Sequence, residues 1–294
     1  MSVCTAAHDD PERSGLVVAR VAGLNIYPIK SCAGSPLTAG ELDRRGLRHD
    51  REFMLVDDQH RFITQREQPS LALVTPIRKE STLTLTTPGM PVLTFEPHDT
   101  ARYEVTIWRD RVVAADQGDP AADWFSTYLG KACRLVRLPD DTERHIDPTY
   151  TTRLADQVGL ADGFPLLLTS EESLADLNRR LSEPLPMHRF RPNVVVSGVG
   201  VPYAEDGWAE IGIGDVVFRV VKACARCAIT TTNQATGRRG PEPLVTLARY
   251  RRAAHGVLFG QNLIHSSTGG LAVGDAVRLI RSGPPPTFVT SCGL

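Results

Sequence analysis

Ile211-Gly212-Ile213-Gly214-Asp215-Val216-Val217-Phe218-Arg219-Val220 is two short apolar runs folded about a Gly-Asp turn. The pattern predicts a β-hairpin, because glycine takes turn dihedrals that other residues resist. Similar signals surround it. Val194-Val195-Val196 reads as a buried strand, and Gly274-Asp275 sits in a similar turn context between Ala272-Val273 and Val277-Arg278-Leu279-Ile280. Apolar Phe164-Pro165-Leu166-Leu167-Leu168 comes before them. Thr169 with Glu172 forms a capping box, and Leu174, Leu177 and Leu181 make the core-facing stripe of the helix it opens. Short strands joined by glycine turns predict a barrel-like second half with helices packed outside.

The first half is also rich in strand signals. Arg51–Val56, Asp57-Asp58-Gln59-His60 and Arg61–Thr64 read as a hairpin. Thr82-Leu83-Thr84-Leu85-Thr86 alternates cleanly, and Pro88-Gly89 turns the chain before Val92–Phe95. Glu104–Trp108 and Arg111–Ala114 suggest another pair. One helix follows, with Asp119 as N-cap, Pro120 in its first turn and Gly130 past its end. Polar Pro139-Asp140-Asp141-Thr142-Glu143 reads as the inter-domain loop. The expected fold class is therefore α+β and β-rich. A first domain spans 17–140 and a second 145–282, with a disordered leader over 1–16 and a flexible tail over 283–294.

Composition narrows the function. The 294 residues carry 33 Lys and Arg against 34 Asp and Glu, a net charge of -1. Nucleic acid is therefore not expected as the main partner, since phosphate binding needs a basic surplus. A local basic pocket for one small anion remains compatible with that total. No apolar run approaches the ~20 residues needed to span a bilayer, and residues 1–15 lack the basic and apolar regions of an export signal. The expectation is a cytoplasmic protein with no membrane partner. Its six cysteines are then expected to be mostly reduced. The eight histidines form no His-x-x-x-His pair, and no plant-type iron–sulfur spacing occurs, so any metal site must use few protein ligands.

Cys224-Ala225-Arg226-Cys227 follows the predicted strand and leads into β-prone, hydroxyl-rich Ala228-Ile229-Thr230-Thr231-Thr232-Asn233. A zinc half-site would need a second Cys or His pair, and none lies at the usual spacing. A thioredoxin-like dithiol would open a helix, which β-branched residues disfavour. One thiolate serving as the lone protein ligand of a cofactor-held redox metal is the third reading. Two ordinary buried thiols are the fourth.

The segment from Cys224 to Gly237 closely resembles the cofactor-ligand motif of MOSC domains, the family named for the molybdenum-cofactor sulfurase C-terminus. It is most similar to the branch that includes the mitochondrial amidoxime-reducing component. Leu24-Asn25-Ile26-Tyr27-Pro28-Ile29-Lys30-Ser31-Cys32-Ala33-Gly34 looks like the opening of that branch's N-terminal β-barrel domain. Asp50–Val56, Thr64-Gln65-Arg66, Phe190-Arg191-Pro192-Asn193 and Tyr203–Trp208 continue the match in order. The resemblance covers roughly residues 18 to 282. It implies an N-terminal β-barrel domain followed by a MOSC barrel with peripheral helices. One departure is Asn233, where the family usually has an acidic residue.

The resemblance also implies a chemistry. Cys227 corresponds to the metal-ligating cysteine of a molybdenum cofactor (Mo-molybdopterin) and is the catalytic position; Cys224 matches a non-ligand cysteine. Pterin and phosphate contacts map to Lys30, Ser31, Arg51, Arg191, Asn193 and Arg226, with Thr169 and Ser170 beside them. Arg66 belongs to the same charge set. Arginine suits phosphate through its planar donor fork, and lysine adds a compact charge. Thr230, Thr231 and Thr232 are either hydrogen-bond donors to the site or ordinary strand threonines. The implied activity is two-electron reduction of N-hydroxylated compounds such as amidoximes and hydroxylamines. The chain has no dinucleotide fingerprint, so a separate flavin, iron–sulfur or haem reductase is the expected electron donor. Rival expectations are a non-catalytic cofactor carrier or sulfuration partner, and a Cys224–Cys227 thiol-redox protein.

Overall fold

The computed structural model describes residues 15–79, 81–151 and 153–289. The leader expected over 1–16 lies outside the described residues up to position 14, as does the tail from 290 onward. Strands take 41% of the described residues and helices 15%, the β-rich α+β class that the alternation predicts.

Seven strands close a barrel in the order Leu166–Ser170, Val194–Ser197, Leu16–Ile26, Ala276–Ser282, Trp208–Ile213, Val216–Ala225 and Gly256–His265. The last pairs back onto the first. Closure leaves these strands without an open edge. The pairs are antiparallel except Leu166–Ser170 with Val194–Ser197, which are parallel. Helix Glu171–Arg179 lies in the crossover between those two. Inward-pointing Val21, Leu24, Ile211, Ile213, Phe218, Leu263 and Val277 fill the interior. The hairpin quoted above forms, turning at Gly214 with φ 58°, a left-handed value that glycine adopts without strain. Gly274-Asp275 is a corner, not a hairpin. The strand before it, Gly269–Ala272, pairs with Ala39–Asp43, and the strand after it joins the barrel.

The segment 17–140 is not self-contained, because its first strand, Leu16–Ile26, is hydrogen-bonded between two strands of the C-terminal barrel. The physical reason is that Val21, Leu24 and Ile26 bury inside that barrel, which would have two open edges without them. What remains of the first half is a half-barrel. A five-stranded sheet holds Ala101–Ile107, Asp110–Asp116, Arg134–Arg137, Phe53–Val56 and Phe62–Ile63, and a three-stranded sheet holds Thr75–Lys79, Thr82–Thr86 and Leu93–Phe95. Helix Asp119–Leu129 packs Trp124 and Phe125 against Ile29, Phe53, Leu71, Leu83 and Leu135. Its N-cap is Gly118, so the expected cap Asp119 sits one position inside, where its charge faces the helix dipole favourably.

The tail expected to be loose from 283 is held at least to Val289. The Val289 N–H donates to Arg252 O (2.7 Å), and the Arg251 guanidinium lies 4.4 Å from the Phe288 ring centre. Among the described residues no helix is long and apolar enough to cross a membrane.

Candidate active site

The two halves meet at a cleft of about 950 Å³ lined by Lys30, Ser31, Arg51, Arg66, Arg191, Asn193, Arg226 and Cys227. Five separate chain segments bring these residues together, and all eight were expected to share a site. Eight Lys and Arg side chains line the cleft against three carboxylates, a local surplus hidden inside a nearly neutral chain.

Backbone strain concentrates here. Seven described non-glycine residues have positive φ, and four of them line the cleft: Ser31 (71°), Arg51 (47°), Trp108 (56°) and Arg191 (55°). Such dihedrals persist only where the surroundings enforce them, and they gather at functional sites.

Tyr27 organises the inner wall, although sequence reasoning did not single it out. It is buried, its hydroxyl donates to Pro192 O (3.2 Å), and burial pushes its pKa up to about 12. The guanidinium carbons of Arg51 and Arg191 each lie 4.2 Å from its ring centre. Gly34 permits this arrangement, since a Cβ there would meet the Tyr27 ring at 2.4 Å. Arg51 Nη1 donates to Asp50 (2.5 Å) and to Asn193 Oδ1 (3.1 Å), which ties the first half to the second. Arg191 Nη1 donates to Cys32 O (2.5 Å), and burial lowers its pKa to about 10.

Asp162, also missed, sits at the centre of the outer wall. It accepts from Lys30 Nζ (2.5 Å), Arg66 Nη2 (2.9 Å) and Trp108 Nε1 (3.2 Å). Burial alone would raise its pKa, but Lys30 and Arg66 outweigh that and hold the carboxyl far below the usual range. Burial lowers the Lys30 ammonium to about 8 despite Asp162. Arg144 is buried beneath, donating to Asp110 Oδ2 (2.7 Å), Gly159 O (2.7 Å) and Ala161 O (2.6 Å), so it fixes the loop that carries Asp162. No periodic pattern marks these loop residues in the sequence.

Cys227 is half-buried and free, at the start of a short 3₁₀ turn, Ala228–Thr231. That turn replaces the β-prone segment expected after it. Thr230 Oγ1 donates to Cys227 O (2.9 Å) and Thr231 Oγ1 to Ala228 O (2.8 Å), so the hydroxyls stabilise a turn that β-branching alone would disfavour. Arg66 lies beside the Cys227 sulfur. Burial works against the Arg66 charge, while Asp162 and Cys227 raise its pKa above the ordinary value. Arg226 Nη1 donates to Cys224 Sγ (2.9 Å) and Nη2 to Phe190 O (2.6 Å). Arg66 Nη1 and Arg226 Nε are buried with no hydrogen-bond partner among the described residues. Buried donors of this kind carry a cost unless a ligand meets them. An anionic, acceptor-rich group fits these donors.

Thr169 and Ser170 do not reach the cleft, which corrects their expected placement. Both are fully buried. Ser170 is the N-cap of helix Glu171–Arg179, accepting from Ser173 N (3.1 Å) and donating to Glu205 (3.0 Å), while Thr169 Oγ1 donates to Met187 Sδ (3.2 Å). Glu172, expected to complete the capping box with Thr169, instead accepts from Gly198 N (2.7 Å). Asn233 caps its own turn through Ala235 N (2.9 Å).

Family models match the chain twice, as the MOSC N-terminal beta barrel domain over residues 18–132 and as the MOSC domain over 155–278. Mitochondrial amidoxime-reducing component 1 of Mus musculus is 37% identical, across 90% of this chain and 83% of its own. The chain belongs to the MOSC family. Mitochondrial amidoxime-reducing component 1 of Homo sapiens is 36% identical, with the same coverage of both chains. The molybdenum cofactor sulfurase of Arabidopsis thaliana is 35% identical over 81% of this chain but only 32% of its own length. Both MOSC models span residues of the cleft, with Lys30, Arg51 and Arg66 in the N-terminal match and Arg191, Asn193, Arg226 and Cys227 in the C-terminal one.

Proposed function

We propose that this MOSC protein holds a molybdenum–pterin cofactor in the cleft through the Cys227 thiolate and reduces N-hydroxylated small molecules such as amidoximes and hydroxylamines. The observation that carries the reading is the pair of unsatisfied buried donors, Arg66 Nη1 and Arg226 Nε, flanking a free cysteine in a cationic cleft. Arg51, Arg191, Arg226 and Lys30 are the residues to hold the anionic cofactor, and Asn193 orients Arg51. When bound, the group supplies two-electron oxygen-atom transfer from nitrogen, chemistry that belongs to the cofactor. The chain's part is to fix the thiolate on a rigid turn, neutralise phosphate and keep Arg66 against the sulfur. Electrons come from a separate flavin, iron–sulfur or haem reductase.

The experiment is turnover of an amidoxime by protein produced in a cofactor-competent host, driven by a reduced viologen dye, with molybdenum and pterin assayed alongside. The expected result is dye-driven reduction, none with NADH alone, and loss of both activity and metal in Cys227→Ala. Cys224→Ala should keep a substantial share of each, and equal loss in both variants would indicate a shared dithiol instead. The kinship with a molybdenum cofactor sulfurase favours a second reading, a cofactor carrier or sulfuration partner. Bound cofactor without dye-driven turnover of any N-hydroxylated compound would decide for it.

A further inference from the structure

We infer that Trp108 is a specificity-determining residue that stacks on an uncharged planar group of the substrate; this rests on the reductase reading above. Trp108 begins the two-residue turn between paired Ile107 and Asp110. Its φ of 56° suits glycine, and a bulky side chain there is strained. It is also 47% exposed, although large aromatics normally bury. Turn chemistry gives no reason for an indole at this position.

Three contacts nevertheless hold the ring still. Its Nε1 donates to Asp162 Oδ1 (3.2 Å), Arg66 lies 4.8 Å from its centre, and Phe62 packs at 5.0 Å. Through Arg66 the ring stands one guanidinium away from the Cys227 sulfur. A surface aromatic that is fixed in orientation, half open and beside the reacting position is a platform. Offset stacking gives such a surface a preference for flat partners. Arg66 already lies against the ring and cations line the cleft around it, so a neutral plane is favoured over a cationic one.

The test compares benzamidoxime with acetamidoxime, which present the same N-hydroxyamidine on a flat aryl or a methyl group. The readout is the ratio of their kcat/KM values, which cancels any shared loss passed through Arg66 or Asp162. Trp108→Gly suits the turn backbone and should fold, and it is expected to lower the aryl preference roughly fivefold to tenfold. Trp108→Phe keeps a ring without the N–H and should retain most of the preference. An unchanged ratio in Trp108→Gly overturns the inference, as does an equal fall in both variants, which would assign the effect to the Asp162 bond. Loss of pterin from Trp108→Gly also overturns it by putting the ring on the cofactor.

A binding arm separates this inference from the reductase reading. Trp124 and Trp208 are buried, so quenching of wild-type tryptophan emission by benzamidoxime, weaker with acetamidoxime and absent in Trp108→Gly, reports the platform directly. If neither amidoxime is reduced but that quenching is seen, the reductase reading falls and the platform stands. If both are reduced and no quenching occurs, the platform falls alone.

Discussion

Arg189 is buried, and among the described residues it has no carboxylate partner. Its Nε donates to Thr230 O (3.0 Å) and its Nη2 to Thr231 O and Glu242 O (both 3.4 Å). It therefore clamps the carbonyls of the turn that presents Cys227. Arg189→Leu should cost about 3 kcal/mol, because several buried acceptors lose their donor at once; urea denaturation measures this. Lys30 invites a different measurement. Its ammonium is held down to about 8 by burial, so it loses charge as pH rises through that value. Binding of inorganic phosphate to cofactor-free protein should weaken above pH 8 by calorimetry, and Lys30→Met should remove that pH step. Lys30 and Cys227 were legible in the sequence because each lies inside a contiguous motif. Asp162 was not, since it meets Lys30 only through the fold, across 132 positions.

At the scale of elements, Glu52 joins parts that the sequence keeps apart. It accepts from Arg137 (2.6 Å) on strand Arg134–Arg137 and pairs with Arg78 (3.4 Å) on strand Thr75–Lys79 and with His49 (2.9 Å). Burial would raise this carboxyl, but those partners outweigh it and hold the pKa at about 2. A depressed carboxyl contributes stability above its unfolded pKa near 4.5 and loses it as pH falls toward 2, on the order of 3 kcal/mol. Glu52→Gln should flatten the acid limb of a stability–pH curve measured in denaturant. The strands themselves were readable from alternation and glycine turns. The 3₁₀ turn after Cys227 was not, because threonine hydroxyls bonded to carbonyls three residues back override β propensity. Ser170 was misplaced for a related reason: Thr169 and Ser170 both suit an N-cap, and only the strand's end selects the second.

For the whole molecule, the decisive contact is strand Leu16–Ile26 lying within the C-terminal barrel. Nothing in the local pattern marks its partners, Val194–Ser197 and Ala276–Ser282, which lie about 170 to 260 positions away. A fragment beginning at residue 145 should therefore be insoluble or poorly dispersed by NMR. A permuted fragment carrying residues 15–27 through a linker after residue 289 should recover a dispersed spectrum. The charge of the cleft between the halves has its own outcome for a reductase of amidoximes. An amidine is a stronger base than its N-hydroxy precursor, so the substrate enters uncharged and the product forms as a cation. It does so among eight cationic side chains and three carboxylates, a surplus that outlasts neutralisation of a dianionic phosphate. Repulsion at such short range in a partly dry site amounts to several kcal/mol before screening, so on the proposed function the charge that would hold the cofactor would also expel the product. Benzamidine should accordingly inhibit more weakly than its neutral isostere benzamide, with the gap narrowing as salt is raised.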